Sequence, residues 1–196
     1  MTGKSHIAIG AASVLLADAV TGFCTAYPTP LPVRLPGEAG VSLGLALAAA
    51  VIGSLLPDID HPESKIAYQA GLARGRGPLT DVAGFGLRAL LGGHRGLTHS
   101  ALACILISLA ALLALPLAGA GVVGFALGYL SHIAADMLTK EGVRFWWPVS
   151  RREVGIGPRA LRFRSGGRLE YAVVAAFWAT ALFARWGMAS AWPPGG

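Results

Sequence analysis

Residues 121–138 read GVVGFALGYLSHIAADML, and this stretch decides the fold because two ionisable side chains interrupt an otherwise apolar run. The run approaches the roughly 20 residues that an α-helix needs to cross a bilayer. His132 and Asp136 are four residues apart, so on a helix their side chains share one face, one turn apart. Ionisable residues at membrane depth are costly and usually functional, and His and Asp are common metal ligands. The stretch therefore predicts a membrane helix with a pair of metal ligands.

The remaining sequence has the composition of a helical membrane protein. The 196 residues are 54% hydrophobic and 13% charged, whereas a soluble domain carries about 25% charged residues. Four further apolar segments cover about residues 7–23, 41–56, 100–118 and 171–188. We interpret the first as a helix of the folded protein rather than a cleaved signal peptide. We predict an all-α, polytopic helical membrane protein with about four or five membrane-embedded helices, folded as a single domain over residues 1–196.

The positive charges indicate how this domain is oriented. Fourteen of the 16 Lys and Arg residues are Lys4 or lie in two polar loops, about residues 57–99 and 139–170. Two apolar segments separate these loops, so both face the same side, which the positive-inside rule assigns to the cytoplasm. The net charge of +6 would also suit a nucleic-acid binder. Because the charges lie between apolar runs, we favour an anionic lipid surface and expect no nucleic-acid partner.

The five histidines and several acids fall at the predicted cytoplasmic ends of these segments. Asp58 and Asp60 follow Pro57, and two neighbouring carboxylates repel each other unless a cation or proton lies between them. His94 and His99 precede the segment at 100–118, where Thr98 or Ser100 can cap a helix. We therefore predict one metal site at the cytoplasmic interface. Its candidate ligands are His6, Asp58, Asp60, His61, His94, His99, His132 and Asp136.

This mixed set of ligands indicates a hydrolytic metal. Imidazoles with carboxylates suit zinc, with manganese or iron as alternatives, better than magnesium. We expect one or two divalent ions that activate water and polarise a phosphoryl oxygen. The predicted catalytic residues are Asp60, Arg95 and Glu170: an acid as general base, and Arg95, with Arg151 or Arg152, to hold phosphate. The two cysteines form no CxxC pair, which argues against a thiolate site.

Several of these motifs, in their order along the chain, resemble one family. The matching pieces are LPDIDHP at 56–62, HRGLTHS at 94–100, GYLSHIAAD at 128–136 and TKEGV at 139–143, followed by Trp147-Pro148 and flanked by Ser5-His6 and Glu170. This pattern is similar to that of the YdjM-like, LexA-regulated inner-membrane proteins, which are described as metal-dependent hydrolases. The resemblance implies a multi-pass protein of the bacterial inner membrane. The chain departs from the pattern in a long insert at residues 65–93.

Together these features predict a membrane-bound, metal-dependent hydrolase of a phosphoester in a lipid or lipid-linked substrate. A metal-ion transporter or sensor without catalysis is one alternative, since His and Asp also line ion pathways. A structural membrane protein whose histidines only cap helices is another.

Overall fold

The computed structural model describes residues 1–22, 43–61, 82, 85–86, 95–114 and 119–191. Within these ranges the chain forms five α-helices, which confirms the predicted all-α class. They are α1 (Gly3–Thr21), α2 (Leu43–Leu55), α3 (Ala101–Ala114), α4 (Gly119–Met137) and α5 (Arg168–Ala191), and each corresponds to one of the five apolar segments. His94 and nearly all of the insert at 65–93 lie outside the described residues.

Three of these helical stretches are long and apolar enough to cross a membrane: Leu43–Asp60, Gly119–Met137 and Arg168–Met188. The first combines α2 with the short 3₁₀ helix Leu56–Asp60 that follows it. Helix α3 is apolar but shorter. Only 6% of the α5 window is buried within the protein, and large apolar side chains such as Phe183 and Trp186 are exposed along it. An apolar surface of this kind is what a lipid-facing helix requires.

Helices α2 and α4 pack with their backbones in close contact because both present small residues. A Cβ atom added at Gly124 would lie 2.2 Å from the Ala46 carbonyl oxygen, and one at Gly128 would lie 2.2 Å from that of Ala50. On the other side, a Cβ at Gly53 would lie 2.1 Å from the Phe125 carbonyl oxygen. The GxxxG pattern at 124–128 thus marks a true helix contact, as small residues do in membrane bundles.

The helix ends that carry the polar motifs meet at one end of the bundle. These are the starts of α1, α3 and α5 and the ends of α2 and α4, and side-chain contacts join them. Ser100 caps α3, since its hydroxyl accepts a hydrogen bond from the Ala103 amide at 3.1 Å, as predicted. Thr2 caps α1 through the amide of Ser5. The predicted convergence of distant polar segments is therefore present.

Candidate metal centre

Two overlapping groups of possible metal ligands lie at this end of the bundle. One consists of His6, Asp58 and His132, and the other of His99, His132 and Asp136. Within each group the ligand atoms lie within 4.8 Å of one another. His132 belongs to both groups, so it is the centre of the cluster.

His132 and His99 face each other through unprotonated nitrogens. Their Nε2 atoms are 3.2 Å apart. His132 Nδ1 lies 2.7 Å from the Ser54 carbonyl oxygen, which can only accept, so Nδ1 carries the proton. His99 Nδ1 lies 3.2 Å from the Thr98 hydroxyl, which itself donates to Asp60 at 2.9 Å and therefore accepts from Nδ1. In the neutral rings both Nε2 lone pairs then point at each other, an arrangement that a cation between them stabilises.

Two carboxylates lie beside the histidine pair, one from each ligand group. Asp58 Oδ1 lies 3.7 Å from Nε2 of both His99 and His132. Asp136 Oδ2 lies 3.7 Å from His99 Nε2 and 3.9 Å from His132 Nε2. The side chain of Asp58 is 18% exposed and that of Asp136 is 2% exposed, so the cluster is open mainly beside Asp58.

His6, a member of the first ligand group, packs against His132. Its ring stacks on His132, with the centroids 3.6 Å apart and the planes 15° from parallel. An imidazole nitrogen binds a metal near its ring plane, and two stacked, nearly parallel rings share no such point close to both nitrogens. His6 Nε2 lies 3.4 Å from Asp136 Oδ1, yet neither buried ring nitrogen forms a hydrogen bond within the described ranges.

Arg95 brings a positive charge to the edge of the cluster. Its Nη2 lies 3.2 Å from Asp136 Oδ2, and its Nη1 donates to the Gly142 carbonyl at 3.1 Å. The buried Nε has no hydrogen-bond partner among the residues described. Arg95 adopts a left-handed backbone conformation (φ 61°), which is uncommon for a residue with a side chain. Strain of this kind concentrates at functional sites.

The other predicted site residues lie outside both ligand groups, or outside the described residues. Asp60 is buried and accepts a hydrogen bond from the Thr98 hydroxyl. Because the same hydroxyl contacts His99 Nδ1, Asp60 supports His99 indirectly. Glu170 accepts hydrogen bonds from the Thr2 amide and hydroxyl and from the Gly166 amide, and so joins the start of α5 to the start of α1. The backbone of His61 ends the 3₁₀ helix at 56–60. His94 is not among the residues described.

Supporting groups that the sequence analysis did not single out are Ser54, Pro57 and Tyr129. In the i→i+3 pattern of the 3₁₀ helix, the Ser54 carbonyl would pair with the amide of residue 57, which is a proline without an N–H. Pro57 thus leaves this carbonyl available to His132. Tyr129 is fully buried and donates to the Thr98 carbonyl at 2.5 Å, which fixes the turn before α3. The role of Pro57 could have been predicted from the sequence, whereas nothing in the sequence distinguishes Tyr129 from an ordinary core residue.

The donor set fits a divalent metal. For a tetrahedral zinc site with Zn–N bonds of about 2.0–2.1 Å, two nitrogens lie about 3.3 Å apart, close to the 3.2 Å between the histidines. Each histidine uses its other nitrogen in a hydrogen bond, as metal-bound histidines almost always do. Two imidazoles with two carboxylates suit zinc, manganese or iron.

Comparisons with known proteins identify a family and several bacterial relatives. The family described as "YdjM inner membrane protein" matches residues 1–192. The "Inner membrane protein YdjM" of Escherichia coli (strain K12) and that of Shigella flexneri are each 39% identical over 104 residues, which cover 51% of this chain and 47% of the relative. The chain thus spans about half the length of these two relatives. An "Uncharacterized protein YvsG" of Bacillus subtilis (strain 168) is 29% identical over 152 residues, covering 78% of this chain and 76% of the relative. No solved structure matches.

Proposed function

The chain belongs to the family of YdjM inner membrane proteins, and from this premise we propose that it is a multi-pass, metal-dependent hydrolase of lipid phosphoesters. The observation that carries the proposal is the pair of unprotonated Nε2 atoms 3.2 Å apart, flanked by carboxylate oxygens of Asp58 and Asp136. The Arg95 guanidinium and the Met1 ammonium already pair with Asp136, but two buried lone pairs that face each other stay unfavourable unless a cation lies between them.

In this proposal His99, His132, Asp58 and Asp136 hold a divalent metal. When bound, the metal lowers the pKa of water and polarises a phosphoryl oxygen. Ser54 and Thr98 keep both imidazoles in the tautomer that presents Nε2 to the site. Arg95, already at the edge of the cluster, is placed to hold phosphate oxygens through its planar guanidinium. The roles of Asp60 as general base and of Glu170 in catalysis stay predictions.

The position of the cluster supports a lipid substrate. Asp58, His132 and Asp136 lie towards the ends of apolar stretches long enough to cross a membrane, and His99 precedes a shorter apolar helix. These positions favour a site near the lipid head groups. We place this end on the cytoplasmic side, because 14 of the 16 basic residues are Lys4 or lie in the loops at 57–99 and 139–170. A phosphoester carried by a lipid can reach such a site without leaving the bilayer.

The first experiment is elemental analysis of the purified full chain beside two variants. Wild type is expected to retain zinc, manganese or iron, and His132→Ala to lose it. His61→Ala is the matched control, because His61 lies outside both ligand groups, and it should keep the metal. Wild-type protein without metal after reloading would overturn the metal site.

The second experiment measures turnover. Metal-loaded protein in lipid nanodiscs is given a panel of phospholipids and isoprenoid phosphates, and released phosphate or head group is measured. Hydrolysis by wild type but not by His132→Ala supports the proposal. A protein that binds metal but hydrolyses no member of the panel is not this hydrolase, and metal flux into proteoliposomes would then test the transporter alternative.

A further inference from the structure

The segment that joins α4 to α5, residues 138–167, exposes large apolar side chains although it lies outside the helices. We call it the interfacial loop. Val149 is 94% exposed, Leu161 81%, Trp146 58% and Ile156 51%. Folding alone does not account for four large apolar side chains presented to solvent by one loop, and exposed apolar groups of this kind mark contact surfaces.

The same loop is rich in positive charge. It contains seven basic residues and two acids. Arg151, Arg152, Arg159 and Arg164 are exposed and alternate along the chain with the apolar residues. Arg162 differs, since it turns inward and donates to the carbonyls of Gly155 and Gly157. The exposed arginines are therefore available to an external partner.

Backbone hydrogen bonds hold this surface in a fixed shape. Val143 and Val154 exchange two bonds of 2.9 and 2.8 Å, and Lys140 donates to the Phe163 carbonyl at 2.9 Å. The Ile156 amide donates to the Met137 carbonyl at 2.8 Å, which ties the middle of the loop to the end of α4. A preorganised surface loses little conformational entropy when it binds.

We propose that the interfacial loop docks onto the head-group layer of anionic phospholipids, with its apolar side chains inserted and its arginines paired with lipid phosphates. Apolar residues interleaved with basic ones are typical of segments that lie in the membrane interface. Both flanking helices are long and apolar enough to cross the membrane, so both ends of the loop start at its surface. A nucleic acid would pair with the arginines, but it offers no apolar surface that would bury the exposed Val, Ile and Leu side chains. The inference does not depend on hydrolysis.

Spin labels at Val149→Cys and Leu161→Cys test this inference in the full chain, with Cys24→Ser and the buried Cys104 retained. Both positions are highly exposed, so a label there should leave the fold intact. The protein is reconstituted in vesicles of phosphatidylcholine with or without phosphatidylglycerol, and collisions of each label with oxygen and with a water-soluble nickel chelate are compared. In vesicles with phosphatidylglycerol, both labels should collide more often with oxygen than with the nickel chelate. In pure phosphatidylcholine they should shift towards the nickel chelate.

Charge variants separate the lipid attraction from mere proximity to the bilayer. Arg151→Gln with Arg152→Gln should raise the phosphatidylglycerol fraction needed for half-maximal burial, because each lost arginine weakens attraction about fivefold. Arg151→Lys with Arg152→Lys is the matched control and should retain the wild-type response. Labels that meet the nickel chelate equally in both lipids would overturn the proposal. Protection of the labels by an added oligonucleotide, with no effect of lipid composition, would assign the surface to nucleic acid instead.

Discussion

At the scale of single residues, two hydrogen bonds, one to a backbone carbonyl and one to a side-chain hydroxyl, set the histidine tautomers. Residue 57 is a proline, so it has no amide N–H to compete for the Ser54 carbonyl. His132 Nδ1 donates a hydrogen bond of 2.7 Å to that carbonyl. Thr98 sets the tautomer of His99, because its hydroxyl accepts a hydrogen bond from the imidazole and donates one to Asp60. Mutation of hydrogen-bond partners of this kind typically lowers metal affinity by roughly 10- to 100-fold.

Pro57→Ala should weaken metal binding about tenfold, because the new amide can occupy the Ser54 carbonyl and release His132. Competition against a chelator of known affinity measures this change. Ser54→Ala is the control: the acceptor is a backbone carbonyl, and the serine hydroxyl donates elsewhere, to the Val51 carbonyl. Equal affinities for all three proteins would contradict this role for Pro57.

Thr98→Val should lower the free energy of unfolding by about 1–3 kcal/mol, since Asp60 and His99 each lose a buried hydrogen-bond partner. Thr98→Ser keeps the hydroxyl and should lie near wild type. Denaturant titration of the purified proteins in detergent gives the comparison. If the valine variant is as stable as the serine variant, the hydroxyl does not join these residues.

At the scale of elements, the contact between α2 and α4 determines where His132 lies relative to α2. Gly128 is one helical turn before His132 and rests against the Ala50 carbonyl. The GxxxG pattern at 124–128 was visible in the sequence. Its partner face of Ala46, Ala50 and Gly53 was not, because nothing in the spacing of small residues states which other helix they meet.

Gly128→Ala should separate α2 from α4 and destabilise the protein by about 1–3 kcal/mol, as overpacking does. Metal affinity should fall as well, since the shift carries His132 away from Ser54. Gly187→Ala on α5 is the control, because a Cβ there meets nothing within 4 Å, and it should be neutral or slightly stabilising. Matched thermal unfolding and metal titration measure both effects, and a Gly128→Ala protein indistinguishable from Gly187→Ala would contradict the close packing.

A second tie between elements lies far from the cluster. Arg185 of α5 donates to Asp18 of α1 at 2.7 Å, and the Asp18 carboxylate is buried. Arg185→Leu should cost about 1–3 kcal/mol of stability by removing a buried charge partner, while Arg185→Lys should recover part of it. Metal content should not change, because Asp18 is about 18 Å along α1 from His6. Loss of metal in Arg185→Leu would show that the two ends are coupled.

At the scale of the whole molecule, the five apolar segments and the meeting of their polar ends at one end of the bundle could be predicted from hydropathy and charge. Both signals come from the bilayer, which acts on every segment alike. The roles within the cluster could not be read, because they depend on angles between side chains. The carboxylates of Asp60 and Glu170 accept hydrogen bonds from Thr98 and from the Thr2 and Gly166 backbone amides, and their catalytic roles stay predictions. His6 stacks on His132 and belongs to one of the two ligand groups.

The orientation of the molecule is a prediction at this scale. In a chain with Cys24→Ser, Ser165→Cys in the interfacial loop should react with a membrane-impermeant maleimide in inside-out vesicles and not in intact spheroplasts. Ser190→Cys, near the end of α5, should show the opposite pattern. Both serines are exposed. The reverse result would place the metal centre on the periplasmic side.

The position of His132 in both ligand groups predicts how many metal ions the proposed site would bind. One of its nitrogens is committed to Ser54, and a single remaining lone pair forms a bond to one ion at a time. The two groups therefore cannot act as two independent sites that each use His132 at the same time. Titration should saturate at one equivalent per chain in a single phase, and two different metals offered together should displace each other.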